Sequence, residues 1–231
     1  MNFFLTTLIN MFSIYIVVMF IAFSFLKIFK LKRVQNGTHS YDNYKTEIKF
    51  SILSLFLVSG ISTLIYDTDL INHTTLYYNI SDYGWFYYFG IIPLILMSYD
   101  LYFYLTHLLI HNKKLFKLIH LVHHKSKTIS PFAVYCMHPI EATIQHIGLI
   151  FLFFLFPIHT THVYIWVMSS LVYSSYLHLG YEIFSDKFLS SKIGKLICSS
   201  TDHANHHQYF NGNYGFYTLI WDKLFKTSRV R

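Results

Sequence analysis

The sequence predicts an all-α membrane protein of about four spanning helices, two of them a tight hairpin, with a cytoplasmic helical cap that carries clustered histidines. Three observations predict it. Of the 231 residues, 54% are apolar and only 13% are charged, against about 25% charged in ordinary soluble domains. Uncharged apolar runs of helical length recur along the chain. All 18 lysines and arginines fall into three stretches between or beyond those runs. Residues 1–84 read as N-terminal membrane helices, and 85–231 as the part that carries the chemistry.

Taken in order, residues 3–26 hold no charge over 24 positions, enough to cross a hydrocarbon core of about 30 Å as a helix. No basic residue precedes this run and no small-residue cleavage site follows it, so a removable signal peptide is not expected. Six basic residues occupy 27–49, and a second uncharged run covers 50–66. Asp67, Asp69 and Asp82 follow, with Tyr77, Tyr78, Tyr83 and Trp85 as an interfacial aromatic belt. The third run, 85–99, continues past Asp100 toward the first histidines. Five basic residues lie in 113–127. Runs 142–158 and 163–179 are separated only by HTTH and read as the hairpin. Seven basic residues end the chain within 187–231, and none falls in 50–112 or 128–186. Crossing twice between consecutive basic stretches puts all three on one side, which the excess of lysine and arginine names the cytoplasm, with the N-terminus outside. This placement accounts for the net charge of +7 without nucleic acid. Cys136 and Cys198 form no CxxC pair and read as buried thiols. There is no internal repeat, low-complexity tract or second soluble domain.

Histidines provide the candidate site. His107 and His111 are spaced i, i+4 and share a helical face. His120, His123 and His124 (HLVHH) share a second, and His203, His206 and His207 (HANHH) repeat that spacing. All eight lie at or beyond the cytoplasmic ends of the spans. Eight neutral imidazoles exceed the four ligands of one zinc and suit two metal ions that each keep an open position. Imidazole accepts zinc, copper, iron or nickel, so ligand type leaves the metal open. His39, His73, His146, His159 and His162 read as surface or interfacial side chains.

These boxes carry a resemblance. HxxxH, HxxHH and HxxHH on a membrane protein of this kind resemble the fatty acid hydroxylase and sterol desaturase superfamily. DLYFYLTHLLIH is similar to its aromatic-rich lead into the first box. HLVHHKSKTISPFAVYCMHPIE is similar to its second box with the Pro-Phe and His-Pro-acidic elements, and HLGYEIF to its isolated histidine after the last span. TDHANHHQYFNGNYGFYTLIWDKLFKTSR resembles its third box with trailing NYG and WD signatures, most like the sterol C-5 desaturases and their bacterial relatives. The likeness covers about residues 85–229; the first two spans match only in kind.

The resemblance implies a non-haem di-iron enzyme that uses O₂ and external electrons to oxidise a lipid C–H bond. Its ligands would be the eight box histidines, with His178 as a ninth and His138 either a ligand or a neighbour of one. Ser174 stands where fatty acid 2-hydroxylases place a further histidine. Asp100, Glu141 and Asp202 are the candidates for carboxylates that orient ligating imidazoles. Phe103, Phe132 and Tyr135 are candidates to line a substrate path from the bilayer. The expected partners are a membrane lipid, sterol-like or acyl, and a separate reductase with a small haem or iron–sulfur carrier, because the chain has no haem, flavin, nicotinamide or iron–sulfur motif of its own. Two other classes stay open: a catalytically silent scaffold that retains the metal site, and a metal transporter. The spans hold almost no ionisable residue at mid-depth, which speaks against transport.

Overall fold

Helix lengths decide what each element can reach. The computed structural model describes residues 2–35, 37 and 40–229; His39, expected as a loop side chain, lies outside the described residues. Helix α1, Phe3–Ile28, starts at Asn2, whose side chain accepts from the Phe4 N–H. Helix α2, Tyr41–Tyr66, is capped in the same way by Ser40 on Asn43. Helix α3, Gly84–Ile110, runs unbroken through the third apolar run and into the first histidine box. At 1.5 Å per residue each of these is about 40 Å long, and each is long and apolar enough to cross a membrane. Because the hydrocarbon core is only about 30 Å thick, α3 can span it and still carry His107 clear of one face.

After α3 the chain breaks into short pieces: α4 (Lys113–Leu115), a π-helical turn (Phe116–His120) and α5 (Leu121–His124). Helix α6, Pro139–Leu155, opens with proline at its first position, where the missing N–H costs nothing. It ends two residues before Pro157. Helix α7, Thr160–Leu177, follows at once. The hairpin therefore begins three residues earlier than the hydropathy suggests in both arms. At 17 and 18 residues the arms are only about 26 Å long. Among the described residues, the expected four spans resolve into three long apolar helices and the shorter apolar α6. Three small elements complete the chain: α8 (Asp186–Ser190), α9 (Ser200–Tyr209) and α10 (Ile220–Leu224). Helix α7 carries Ser169, Ser170, Ser174 and Ser175 in its second half and packs beside α1 and α9.

Two-residue ladders tie the ends. Strand β1 (Lys32–Arg33) pairs antiparallel with β4 (Tyr181–Glu182), and β2 (Leu76–Tyr77) pairs parallel with β3 (Ile158–His159). Between them lies an apolar core in which Ile65 of α2, Ile91 and Ile95 of α3, Leu152 and Phe153 of α6 and Trp166 of α7 meet. A second cluster joins Tyr15, Val18 and Met19 of α1 to Leu55 and Leu171. Helices α3 and α6 approach so closely that a Cβ on Gly148 would stand 2.2 Å from the Tyr102 ring, the small-residue contact expected where helices pack within lipid. Phe20, Leu64, Phe86 and Ile165 face outward and exposed, as a lipid-bathed surface allows. The chain is an integral membrane protein.

Helix α2 also grips the loop after the second box. Its buried Glu47 accepts from the Ser126 and Ser130 hydroxyls at 2.6 Å each. The Ser51 and Tyr15 hydroxyls both donate to the Phe132 carbonyl.

Candidate metal centre

The end of α3, the π turn with α5, the end of α7 and the length of α9 converge on one buried region. Nine histidines meet there in two groups. His107, His111, His120, His124 and His206 form the first; His123, His178, His203 and His207 form the second, and within each group the ligand-capable atoms lie within 4.8 Å of one another. The boxes do not map one to one onto the groups. On α9 the i, i+4 pair His203 and His207 points to the second group while His206, between them, points to the first. The second box divides the opposite way, with His120 and His124 in the first group and His123 in the second. The π turn ending at His120 adds a residue to the helical repeat, a departure that recurs at functional sites.

Hydrogen bonds show what the ring nitrogens are prepared to do. A carbonyl oxygen can only accept, so an imidazole nitrogen beside one carries its proton there. His107 Nδ1 donates to Tyr214 O at 2.8 Å, His206 Nδ1 to Gly212 O at 2.8 Å, His178 Nδ1 to Ser174 O at 2.8 Å and His123 Nδ1 to Cys136 O at 3.2 Å. His120 Nδ1 donates to Glu141 Oε1 at 2.7 Å. Each of these rings is thereby left with a bare Nε2 as long as it is neutral. Neutrality is enforced by burial, which pushes His111, His120 and His178 down to about 3 and His123 to about 4. Burial, then the neighbouring imidazoles, holds His124, His203 and His207 well below 6.5; for His206 burial and His111 lead.

His107 Nε2 and His120 Nε2 then face each other at 3.1 Å, two lone pairs with no proton between them. Such a contact repels unless a cation lies against both. Two nitrogens held by one ion at about 2.1 Å and at right angles are separated by roughly 3 Å, which this pair matches. Within these two groups, four further buried ring nitrogens have no hydrogen-bond partner: His111 Nε2, His124 Nδ1, His206 Nε2 and His207 Nδ1. Buried polar atoms are rarely left so. The donor set fits metal ions, one against each group.

From the histidines an apolar cavity of about 140 Å³ runs into the helix bundle. Phe103, Tyr135, Val134, Leu149, Trp166 and Leu171 form much of its wall, with His107, His120, His123, His178 and His203 at one end. Of the three aromatic residues expected on such a path, Phe103 and Tyr135 line it. Phe132 instead packs against Phe23 and Tyr44. A family model described as Fatty acid hydroxylase matches residues 92–227, the stretch that builds both histidine groups and most of this cavity.

The chain belongs to the fatty acid hydroxylase family. This member is 28% identical over 181 residues to the lathosterol oxidase of Mus musculus, covering 77% of this chain and 58% of that protein. It is 29% identical over 163 residues to a Delta(7)-sterol 5(6)-desaturase of Schizosaccharomyces pombe, covering 70% and 51%. With the Delta(7)-sterol 5(6)-desaturase of Saccharomyces cerevisiae the identity is 24% over 227 residues, covering 95% and 59%. The chain thus spans between half and three-fifths of the length of these curated relatives. No solved structure matches it.

The three acidic candidates of this hydroxylase-family chain part company. Glu141 holds an imidazole directly. Asp100 does not: its carboxylate accepts from Tyr217 N at 2.7 Å and from the Thr218 hydroxyl at 2.6 Å. Its effect on the site is indirect, because that loop includes Tyr214, whose carbonyl orients His107. Asp202 accepts from Ser199 N and Oγ in a capping box that starts α9, and so sets the helix that bears the third box. His138 lies outside both groups, its Nδ1 capping α6 by accepting from Ile140 N at 3.3 Å. The non-histidine letters of the motifs carry structural functions that the histidine spacing does not signal. Asp222 of the WD signature accepts from Tyr214 N and Gly215 N at 2.8 Å each and so pins the NYG loop. Of the histidines expected at the surface, His73 is exposed. His159 and His162 are buried under Tyr88 at the far turn, and His146 pairs with Ser62 beside the cavity.

Proposed function

We propose that this protein is a membrane-bound non-haem di-iron oxidoreductase that hydroxylates or desaturates a lipid with O₂ and external electrons. The observation that carries the reading is the junction of nine neutral imidazoles, eight of them buried and His111 half-buried, with an apolar cavity inside a membrane bundle. Neutral nitrogen ligands leave bound metal strongly positive, and the cavity presents aliphatic chain to it without water. Residues 85–231 act as the catalytic unit, and the helices of 1–84 complete the cavity wall through Met11 and Val58.

His107, His111, His120, His124 and His206 would hold one iron and His123, His178, His203 and His207 the other. Iron held there supplies the reduction of O₂ and the removal of hydrogen from an unactivated carbon. The chain's own groups orient and exclude. Glu141 and the carbonyls of Tyr214, Gly212, Cys136 and Ser174 fix the rings in the ligating tautomer. Phe103, Leu149, Trp166 and Leu171 keep water from the cavity. Hydroxylation places one oxygen atom in the lipid and releases the other as water, taking up two electrons and two protons. Desaturation takes up the same electrons and protons, removes two hydrogens from the lipid and releases two waters. The electrons come from a separate reductase through a small haem or iron–sulfur carrier.

The substrate class follows the relatives, which are named for sterols, so a sterol-like lipid ranks ahead of a simple acyl chain. The histidine groups face the cytoplasm, as the three basic stretches indicate. Purified protein supplied with iron, a reducing system and ¹⁸O₂ in lipid vesicles tests the reaction. Label in a lipid marks hydroxylation, and a new double bond without label marks desaturation. Iron-loaded protein that alters no sterol, acyl or sphingoid lipid overturns the reading in favour of a silent scaffold.

A further inference from the structure

The cavity wall is mainly apolar, and α6 contributes the carboxylate and the carboxamide on it. Glu141, Gln145 and Leu149 are spaced i, i+4, i+8, so they stand on one face of α6, and all three line the cavity. Glu141 uses Oε1 for His120 and has its Oε2 buried with no hydrogen-bond partner. Gln145 is 8% exposed, and its side-chain oxygen is likewise buried without a partner. Of the other polar groups on the wall, His146 is engaged with Ser62, Ser170 with the Tyr217 hydroxyl, and the Tyr99 hydroxyl with the Gln145 backbone carbonyl, while Tyr135 and Ser174 line the wall as well. Two buried oxygens without a partner thus lie one helical turn apart on α6, at the cavity wall. Four residues of helix separate them by roughly 6 Å along the axis.

We propose that Gln145 and the free oxygen of Glu141 form a hydroxyl-recognition subsite, so that the substrate is a lipid alcohol bound with its polar end toward the histidines. This rests on the oxidative reading above and adds to it the orientation and the recognition group. A hydroxyl can donate to either oxygen, or donate to Glu141 while accepting from the Gln145 amide; a carboxamide serves both ways. Glu141 touches His120 itself, so a hydroxyl held here places carbons only a few bonds away against the first histidine group. The apolar remainder extends toward Leu149, Trp166, Val58 and Met11. A lipid in the leaflet nearest the histidines already lies this way, polar end at the membrane face and hydrocarbon inward. It therefore enters without turning over. The oxidised carbon is accordingly near the hydroxyl and not in the middle of a long chain.

Trp166 lines the cavity, so occupancy is read from its fluorescence in a protein carrying Trp85→Phe and Trp221→Phe, loaded with iron and held in lipid nanodiscs without reductant. The probes are two matched pairs, cholestanol with cholestane and hexadecanol with hexadecane. At least one alcohol is expected to bind about tenfold more tightly than its hydrocarbon. Gln145→Leu is expected to bring that ratio close to one while leaving hydrocarbon binding intact, and Gln145→Glu to keep it. Loss of binding to alcohol and hydrocarbon together in Gln145→Leu, with wild-type preference unchanged in Gln145→Glu, still supports the subsite through the second variant. Equal binding of alcohol and hydrocarbon in both pairs overturns it, as does an undiminished preference in Gln145→Leu. A clear alcohol preference in a protein that oxidises no lipid leaves the subsite standing and overturns the oxidative reading instead.

Discussion

Substituting Glu141 by leucine removes the carboxylate that holds His120 while nearly keeping the side-chain volume. Glu141 Oε1 accepts from His120 Nδ1 at 2.7 Å, and the two side chains are 4% and 1% exposed. Leaving the buried His120 N–H without its acceptor costs about 1–3 kcal/mol, a factor of roughly 5 to 150, and loss of a ligand's outer partner weakens metal binding by about 10- to 100-fold. The loss belongs to one ion, because His120 lies with His107, His111, His124 and His206 and not with the other four. Anaerobic ferrous titration of the purified protein should therefore show two sites in the wild type. In Glu141→Leu one site should weaken by about 10- to 100-fold and the other stay unchanged. Glu141→Gln keeps an acceptor oxygen and should lose less than about tenfold. Combining Glu141→Leu with His123→Ala, which disables the second group, identifies the weakened site: both should then be affected. Two ions bound with wild-type affinity in Glu141→Leu would refute the argument, and so would selective loss of the ion in the four-histidine group.

His123→Ala alone should leave one bound ion, whereas His159→Ala, at the opposite end of the bundle, should leave both; metal analysis after dialysis reads each. Asp222→Asn weakens the two backbone hydrogen bonds that pin the NYG loop and should lower both the thermal midpoint and the occupancy of the five-histidine site, since the Tyr214 carbonyl orients His107. Gly148→Ala forces a methyl to within 2.2 Å of the Tyr102 ring and should destabilise the protein by about 1–3 kcal/mol, seen as a lower thermal midpoint in detergent; an unchanged midpoint would show that α3 and α6 separate freely. Cysteines placed at the exposed Lys114 and Lys223 should resist a membrane-impermeant maleimide on intact cells while one at Thr68 reacts, and the reverse pattern would invert the topology.

What the sequence determined by itself is what depends on local order. Runs without charge must find an apolar surrounding, so the helical membrane class and the approximate spans were legible in composition. Histidine spacings of three and four were legible as helical faces, and the motifs around them carried the family. Hydropathy misjudged the ends of the spans, because Pro139 and Pro157 set the limits of α6 through backbone geometry and not through polarity. Tertiary structure alone decided how the boxes divide. The faces of α9 and of the π turn with α5 meet at an angle, so neighbours such as His206 and His207 serve different groups. It also decided which acidic residues touch an imidazole. Asp100 and Glu141 look alike in sequence, each a short distance from a box, yet α6 brings Glu141 against His120 while the end of the chain folds over Asp100 and takes its carboxylate. Gln145 had no signal in the sequence at all. Its amide matters because the helices around it leave a cavity there and give its side-chain oxygen no partner, and that depends on every neighbouring element at once.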